Sequence, residues 1–335
     1  MSEARPKPAP SFFPTAALDH AVAGIGAGTV AVLCMHPLDL LKVKFQTSSA
    51  KPQGGLGKSI YYALRDIYTT QGIRGLYRGV GANIAGNASS WGLYFLFYNM
   101  LKKRMSPTGD PSYKFSSATT ILYAAEASAV TAVMTNPIWV VKVRMFTTRA
   151  DSPHAYRSLW HGLSSVYRLE GMRGLYKGTS LALFGVSNGA LQFMGYEQLK
   201  WLCIEQKKRS FAKQRKEWTV EAERLSNTTY TVISGASKLF ALAATYPYQV
   251  VRSRIQNNAI ADLYPNIPTC IARTWREEGI TGFYRGLGTN LVRVLPGTCV
   301  TFVVYENLAW MLKTSARRRE ETGASQDREL DAELP

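Results

Sequence analysis

The sequence predicts an all-α membrane protein with six spanning helices in three tandem helix–loop–helix repeats. Three observations predict this: a unit that recurs three times, apolar stretches long enough to cross a bilayer, and charge collected at the ends of those stretches or in short runs between them. A fixed period is the signature of a repeat architecture and is read before anything else.

The unit has three anchors in constant order. Pro37, Pro137 and Pro247 lie in HPLDLLKVKFQ, NPIWVVKVRMF and YPYQVVRSRIQ, at intervals of 100 and 110 residues. QGIRGLYRG (71–79), EGMRGLYKG (170–178) and EGITGFYRG (278–286) follow, and YNMLK (98–102), YEQLK (196–200) and YENLA (305–309) complete each copy. The expected organisation is an N-terminal disordered extension over 1–16, repeats over 17–105, 106–204 and 229–314, a charged loop over 205–228, and a disordered charged tail over 315–335.

The first helix of each repeat is predicted over 17–45, 117–145 and 229–255, and the second over 80–102, 179–201 and 288–313. At about 1.5 Å per residue, 20 or more residues cross a ~30 Å hydrocarbon core. Small residues such as Gly24, Gly26 and Gly28, or Gly235, Ala236 and Ser237, allow close helix approach. GIGAGT (24–29) lacks a preceding strand and the last glycine of a dinucleotide-binding turn, so it reads as helix packing. The linkers carry amphipathic stretches at 59–70, 158–169 and 267–278, expected to lie along the membrane face. Each ends in an aromatic, a cation and a glycine just before the next span. Gly72, Tyr77, Arg78 and Gly79, with Gly171, Tyr176, Lys177 and Gly178, and Gly279, Tyr284, Arg285 and Gly286, are therefore candidate seats for an anionic lipid such as cardiolipin, with simple turn chemistry as the alternative.

A net charge of +17 and a pI near 9.7 call for anionic company: nucleic acid, an anionic lipid surface or a small anionic substrate. Cys34, Cys203, Cys270 and Cys299 form no CxxC pair and have no histidine nearby to complete a metal set, so they read as buried thiols, and no metal is expected. The first residues lack the apolar region of a secretory signal and the Arg-rich pattern of a transit peptide, so any organelle address is expected to be internal.

Asp39, Lys42, Lys142, Arg252 and Arg254 fall near the ends of apolar spans, where a charge is costly unless paired or hydrated. Residues three apart share a helix face, so Asp39 and Lys42 point one way. The prolines are expected to kink the spans and bring these polar ends together.

This triple pattern, P-x-[DE]-x-x-[KR]-x-[KR] at about 100-residue spacing, resembles the mitochondrial carrier family over residues 17–313. The resemblance implies a threefold pseudosymmetric bundle with matrix-side amphipathic helices, both termini in the cytosol, and a central cavity closed alternately by two charged networks. It implies a matrix gate joining Asp39 to Lys142, Trp139 to Arg252 and Gln249 to Lys42, with Gln46 and Gln256 as braces. It implies a cytoplasmic gate joining Lys102 to Glu197 and Lys200 to Glu306, with Asn99 facing Ala309. Trp139 removes a carboxylate while Arg252 keeps its charge. The expected compensation is cation–π stacking of the indole on Arg252, worth about 0.5–2 kcal/mol, with a space-filling plug as the alternative.

For the substrate, Phe184, Asn188 and Gln192 recur every four residues as one stripe, and Asn83, Asn87, Tyr94, Asn290 and Arg293 offer amides, an aromatic ring and a cation. Gly86, Phe184 and Arg293 lie at the level where the family's substrate contacts fall. Such a cavity suits a planar heterocycle carrying a phosphate or carboxylate better than a small dicarboxylate. NPIWVVK, AGNASSWGLYF and VRVLPGTCVTFVVYENL are similar to the family branch that moves FAD or folate, with carriers of NAD and pyrimidine nucleotides as near alternatives. FAD or folate would be cargo, with no prosthetic group, in a monomer of the mitochondrial inner membrane; a peroxisomal relative would look much the same. A nucleic-acid-binding protein would not need six apolar spans. An enzyme would need a nucleophile and base, yet His20, His36, His154 and His161 share no motif. A non-transporting scaffold in the same fold is the remaining reading of another class.

Overall fold

The computed structural model describes residues 11–14, 16–49, 54–106, 116–149, 151–152, 155–213 and 225–333. Ten α-helices and no strand occur among them: α1 Ala16–Thr47, α2 Leu56–Leu76, α3 Val80–Met105, α4 Ser117–Thr147, α5 Leu159–Leu175, α6 Thr179–Phe184, α7 Ser187–Lys213, α8 Asn227–Gln256, α9 Ile267–Gly282 and α10 Leu287–Glu333. The all-helical class and the three-repeat order predicted from sequence are found. Two helical stretches, Leu18–Thr47 and Leu287–Arg319, are long and apolar enough to cross a membrane by composition alone.

Local chemistry sets the boundaries. Ser116 and Ser226 start α4 and α8 by accepting from the backbone N–H of Thr119 and Thr229 at 3.3 and 3.2 Å, and Ser158 and Asn266 do the same for α5 and α9 at 3.2 and 2.9 Å. Each such cap is worth about 1 kcal/mol. Gly72, Gly171 and Gly279 take φ of 65°, 66° and 63° and break the linker helices where they turn back toward the next span. A side chain would be strained at that angle, which is why each copy has glycine there.

In three places the helices differ from expectation. The second span of repeat two is interrupted at 185–186, between α6 and α7, where a Cβ on Gly185 would stand 2.8 Å from the Tyr248 hydroxyl. Helix α7 continues to Lys213 and α10 to Glu333, so helix covers 205–213 and 315–333 in place of the expected charged loop and tail. Lys, Arg and Glu are good helix formers, and Glu205 and Arg209 pair at i, i+4. Ser11–Pro14 are described as well: the backbone N–H groups of Phe12 and Phe13 donate to Asp19 at 3.0 and 2.9 Å. Residues 1–10, 15 and 214–224, which carry the rest of the expected N-terminal extension and loop, lie outside the described residues.

The chain divides into two compact units, Leu40–Gly288 and the pair Met1–Asp39 with Thr289–Pro335. In the larger unit three equivalent clusters seat the linker helices on the proline-motif ends of α1, α4 and α8. Leu40, Leu41, Ile67 and Phe146 form the first, Val141, Met145 and Val166 the second, and Val251, Ile255, Cys270 and Phe283 the third. Full burial of one such side chain is worth about 1.5–3 kcal/mol. Of the four cysteines only Cys270 is buried; Cys34 and Cys299 are exposed and Cys203 intermediate, which corrects the expectation of four buried thiols. Burial pushes the Cys270 thiol up to about 11 although the Arg254 charge pulls the other way. In the smaller unit α1 and α10 meet where Gly26 leaves room for Leu308, and His20 Nδ1 lies 2.8 Å from the Tyr305 hydroxyl.

Candidate functional site

Each proline motif ends in two basic residues, two apart. The second of them is locked. Arg144 grips Glu170 through both carboxylate oxygens, at 2.5 and 2.9 Å, and its Nε donates to the backbone carbonyl of Gln256. Arg254 repeats the arrangement one copy later: it pairs with Glu278 at 2.7 Å, donates to Thr274 at 2.8 Å, and its Nε donates to the carbonyl of Gln46 at 3.0 Å. Each arginine thus ties a linker helix of its own repeat to the end of the first helix in the next. Bidentate, charge-assisted pairing of this kind is the strong form of the interaction. In repeat one Lys44 and Gln71 occupy the matching positions, so neither the fork nor the carboxylate is present.

Glu170 and Glu278 are functional residues that the proline motifs alone do not point to. The signal was the acidic residue before Gly171 and Gly279, 26 and 24 residues beyond its arginine. Burial would raise the Glu170 carboxyl, but hydrogen bonds from Arg144 and Lys177 prevail and hold it at about 2. Opposite charge and donated hydrogen bonds favour the ionised form.

The cations expected to seat lipid point into the protein, and this corrects their part of that expectation. Arg78 donates from Nε to the carbonyl of Met145 at 2.9 Å, Arg285 donates to the carbonyl of Ser48 at 2.8 Å and pairs with Glu278, and Lys177 pairs with Glu170 at 3.0 Å. The physical reason is that carbonyls at a helix C-terminus lack intrahelical donors and attract cations. Tyr77 and Tyr284 remain partly exposed, Tyr176 is intermediate, and Gly79, Gly178 and Gly286 begin the following spans with φ of 75°, 74° and 79°.

The first basic residue of each motif makes contacts of another kind. Lys42 Nζ reaches Gln249 Oε1 at 3.5 Å, the limit of a hydrogen bond. Lys142 lies 4.5 Å above the indole of Trp139, one turn away on the same helix, and 5.3 Å from the ring of Phe146. Arg252 donates to Asn136 at 3.4 Å, and its Nε has no hydrogen-bond partner among the described residues. The expected stacking of Trp139 on Arg252 is therefore not found: the i, i+3 spacing gives the indole to Lys142, and Asn136 holds Arg252. Asn136 was also missed in the sequence, and it donates to the carbonyls of Leu175 and Lys177 at 3.1 and 3.3 Å. Gln46 donates to the Tyr246 hydroxyl and accepts from Ser253, and Gln256 donates to the carbonyl of Lys177, so both braces tie helix ends together. Asp39 pairs with Arg293 at 3.0 Å, and Arg293 also donates to Asn290 at 3.3 Å. One carboxylate expected at a gate and one cation expected at the substrate are thus joined.

Several expected substrate contacts are engaged within the fold. Asn87 donates to Asn83, and Asn188 donates to Thr245 at 2.7 Å. Gly86 faces Ile138 and the edge of the Trp139 indole, 3.5 Å from where a Cβ would stand, so the indole covers that position. Phe184 meets Tyr248 edge-on at 5.5 Å, Tyr94 stacks with Tyr98 at 5.9 Å, and Gln192 is half-buried on α7. At the opposite end Lys102 lies over its own helix neighbour Tyr98 at 5.9 Å, and the expected pair with Glu197 is not formed. Asn99 and Glu197 are exposed on α3 and α7, Lys200 is intermediate on α7, and Glu306 is exposed on α10. No cluster of three or more potential metal ligands occurs among the described residues.

Three tandem copies of one helix–linker–helix unit, two of them clamped to the following copy by an arginine fork, define a membrane carrier assembled by triplication. The chain belongs to the family of mitochondrial carrier proteins, whose model matches residues 14–108, 113–207 and 223–316. An uncharacterized mitochondrial carrier of Schizosaccharomyces pombe is 38% identical over 90% of this chain and 99% of its own. The chloroplastic folate transporter 1 of Arabidopsis thaliana is 37% identical over 88% and 96%, and the mitochondrial FAD carrier protein of Saccharomyces cerevisiae 35% identical over 86% and 94%. Members of this family move solutes and are not enzymes.

Proposed function

We propose that this protein carries a large, planar, anionic cofactor, FAD or folate, across the mitochondrial inner membrane by alternating access. The observation that carries the reading is the likeness to an FAD carrier and a folate transporter, at 35% and 37% identity over 86% and 88% of the chain. Trp139 supports it: where the other copies have Asp39 and Gln249, this copy offers an indole face beside the Lys142 cation, a surface suited to an anionic heterocycle. The first basic residues of the three motifs act as the gate facing the matrix. Lys102, Glu197, Lys200 and Glu306 act as the gate facing the cytosol. The turns at Gly72, Gly171 and Gly279 seat cardiolipin through the backbone, and the carrier works as a monomer.

The Arabidopsis relatives that transport NAD, 34% identical over 89% and 86% of this chain, favour a second reading with NAD as cargo. Purified protein in liposomes, assayed for uptake of labelled FAD, folate, NAD and UTP, separates the two. Uptake of FAD or folate in preference to NAD is expected. Preference for NAD or UTP would replace the proposed cargo, and uptake of none would overturn the carrier reading in favour of a scaffold.

A further inference from the structure

Helix α8 carries a charge that none of the gate or substrate positions includes. Lys238 stands in the apolar body of the helix, 11 residues from its start at Asn227 and 18 from its end at Gln256. It is exposed and makes no hydrogen bond or ion pair among the described residues. An isolated cation in that position is costly unless water or an anion reaches it.

Its direction follows from helix geometry. At 100° per residue Lys238 points within about 20° of Gln249 and about 40° of Arg252, so it shares the face of the proline-motif cations. Thr231 and Ser234, both exposed, lie on the same stripe, while Thr245 further along is buried against Asn188 of α7. Val232, Leu239 and Phe240, all exposed, project about 100° to 160° away around the helix, as a lipid-facing surface would. The polar stripe is therefore the one turned toward water.

Its height is fixed by α7. Asn188 on that helix donates to Thr245, and Gly195 packs against Ser237 and Phe240, so Lys238 lies level with Gly195, and Gln192 lies about one turn nearer the gate. The residue nine before the proline is Gly28 in the first copy, Ser128 in the second and Lys238 in the third. The charge thus belongs to one copy alone, as a determinant for an asymmetric substrate would.

We infer that Lys238 is a binding residue for the anionic group of the cargo, a phosphate or carboxylate, which it meets about one turn before Gln192 on the way to the gate. This rests on the reading of the chain as a carrier of an anionic planar cofactor. The ammonium supplies a point charge with rotatable donors, and the amide of Gln192, one turn nearer the gate, offers the cargo a hydrogen bond.

The test compares wild type, Lys238→Gln and Lys238→Arg in liposomes, measuring KM for labelled FAD and folate and inhibition by riboflavin, a flavin without phosphate. Thermal unfolding with and without FAD gives a readout independent of transport. Lys238→Gln is expected to raise KM roughly 10- to 100-fold, the range for losing one hydrogen bond to a charged group. It is also expected to abolish stabilisation by FAD, to leave unfolding without ligand and inhibition by riboflavin unchanged, and to be rescued largely by Lys238→Arg. A larger effect on FAD than on folate assigns the contact to phosphate, and the reverse assigns it to carboxylate. Wild-type transport with KM unchanged in Lys238→Gln overturns the inference alone. So does an effect that follows vesicle headgroup charge, or that falls equally on riboflavin. A wild-type protein that moves none of the anions overturns the functional reading and this inference with it.

Discussion

The two basic positions of each proline motif lie two residues apart, yet the protein treats them in opposite ways. Arg144 and Arg254 are buried, forked onto carboxylates and bonded to a carbonyl of the next repeat. Among their contacts, Lys42 and Arg252 reach amides at 3.5 and 3.4 Å, and Lys142 lies over an aromatic face. A buried fork resists separation more strongly than a hydrogen bond at the limit of its range. A carrier that must open and close can be permanently fastened at one layer only if another, one step along the helix, lets go.

The sharpest way to break this comparison is to remove one member of each layer. Arg254→Met leaves Glu278 buried with Arg285 as its remaining ion-pair partner, and breaking a buried pair costs about 3–5 kcal/mol. Arg252→Gln removes a charge whose Nε has no partner among the described residues, so its cost is expected to stay below about 1 kcal/mol. Thermal unfolding of both variants in detergent measures the difference. If Arg252→Gln is the more damaging, the assignment of strong and weak layers is reversed.

Acid acts on the strong layer in a second way. The Glu170 carboxyl is held at about 2 against its ordinary 4.5, so the stability it lends is fully present above the unfolded value and is lost as pH falls from about 4.5 through about 2. A shift of that size corresponds to about 3 kcal/mol at neutral pH. Denaturant unfolding of wild type and Glu170→Gln between pH 7 and pH 3 should show a gap that narrows as pH drops. A gap of constant size would mean that the carboxylate is not the group responsible.

Much of this was legible in the residues because it is periodic. Three prolines, three glycine-bearing linkers and three aromatic-basic endings give the element order directly, and the helix boundaries follow from the serine and asparagine caps. What sequence reading missed was partner choice. Trp139 was expected on Arg252, but a neighbour one turn away on the same helix reaches the indole first. Arg78 and Arg285 were expected on lipid, but unpaired carbonyls at the ends of α4 and α1 lie closer. Asn136 was passed over because an amide before a proline looks unremarkable until a folded neighbour brings Arg252 to it. Extended helix over 205–213 and 315–333 was missed for the opposite reason: dense charge was read as solvated coil, although those residue types also favour helix.

Trp139 probes the weak layer itself. Trp139→Ala removes a cation–π contact worth about 0.5–2 kcal/mol and uncovers Gly86. The expected result is a small fall in thermal stability with a larger change in uptake of the planar cargo. Trp139→Asp, which supplies the carboxylate this copy lacks, is expected to raise stability and slow turnover by strengthening the gate. Equal uptake by all three proteins would leave the indole no role beyond filling space.

The smallest expected effect tests whether the strong layer is incomplete in repeat one. Gln71 stands where Glu170 and Glu278 stand, and Lys44 where the two arginines do. Gln71→Glu gives Lys44 a carboxylate, but a lysine offers a point charge where arginine offers a fork, and the new pair is only partly buried. The gain is therefore expected to be no more than about 1 kcal/mol, visible as a modest rise in unfolding temperature. Adding Lys44→Arg should increase it, because the fork can then reach a carbonyl of repeat two as Arg144 reaches repeat three. If the double variant is more stable and its uptake is unchanged, the missing third clamp is incidental. If uptake falls as stability rises, one of the three linkers must stay loosely tied for the carrier to turn over.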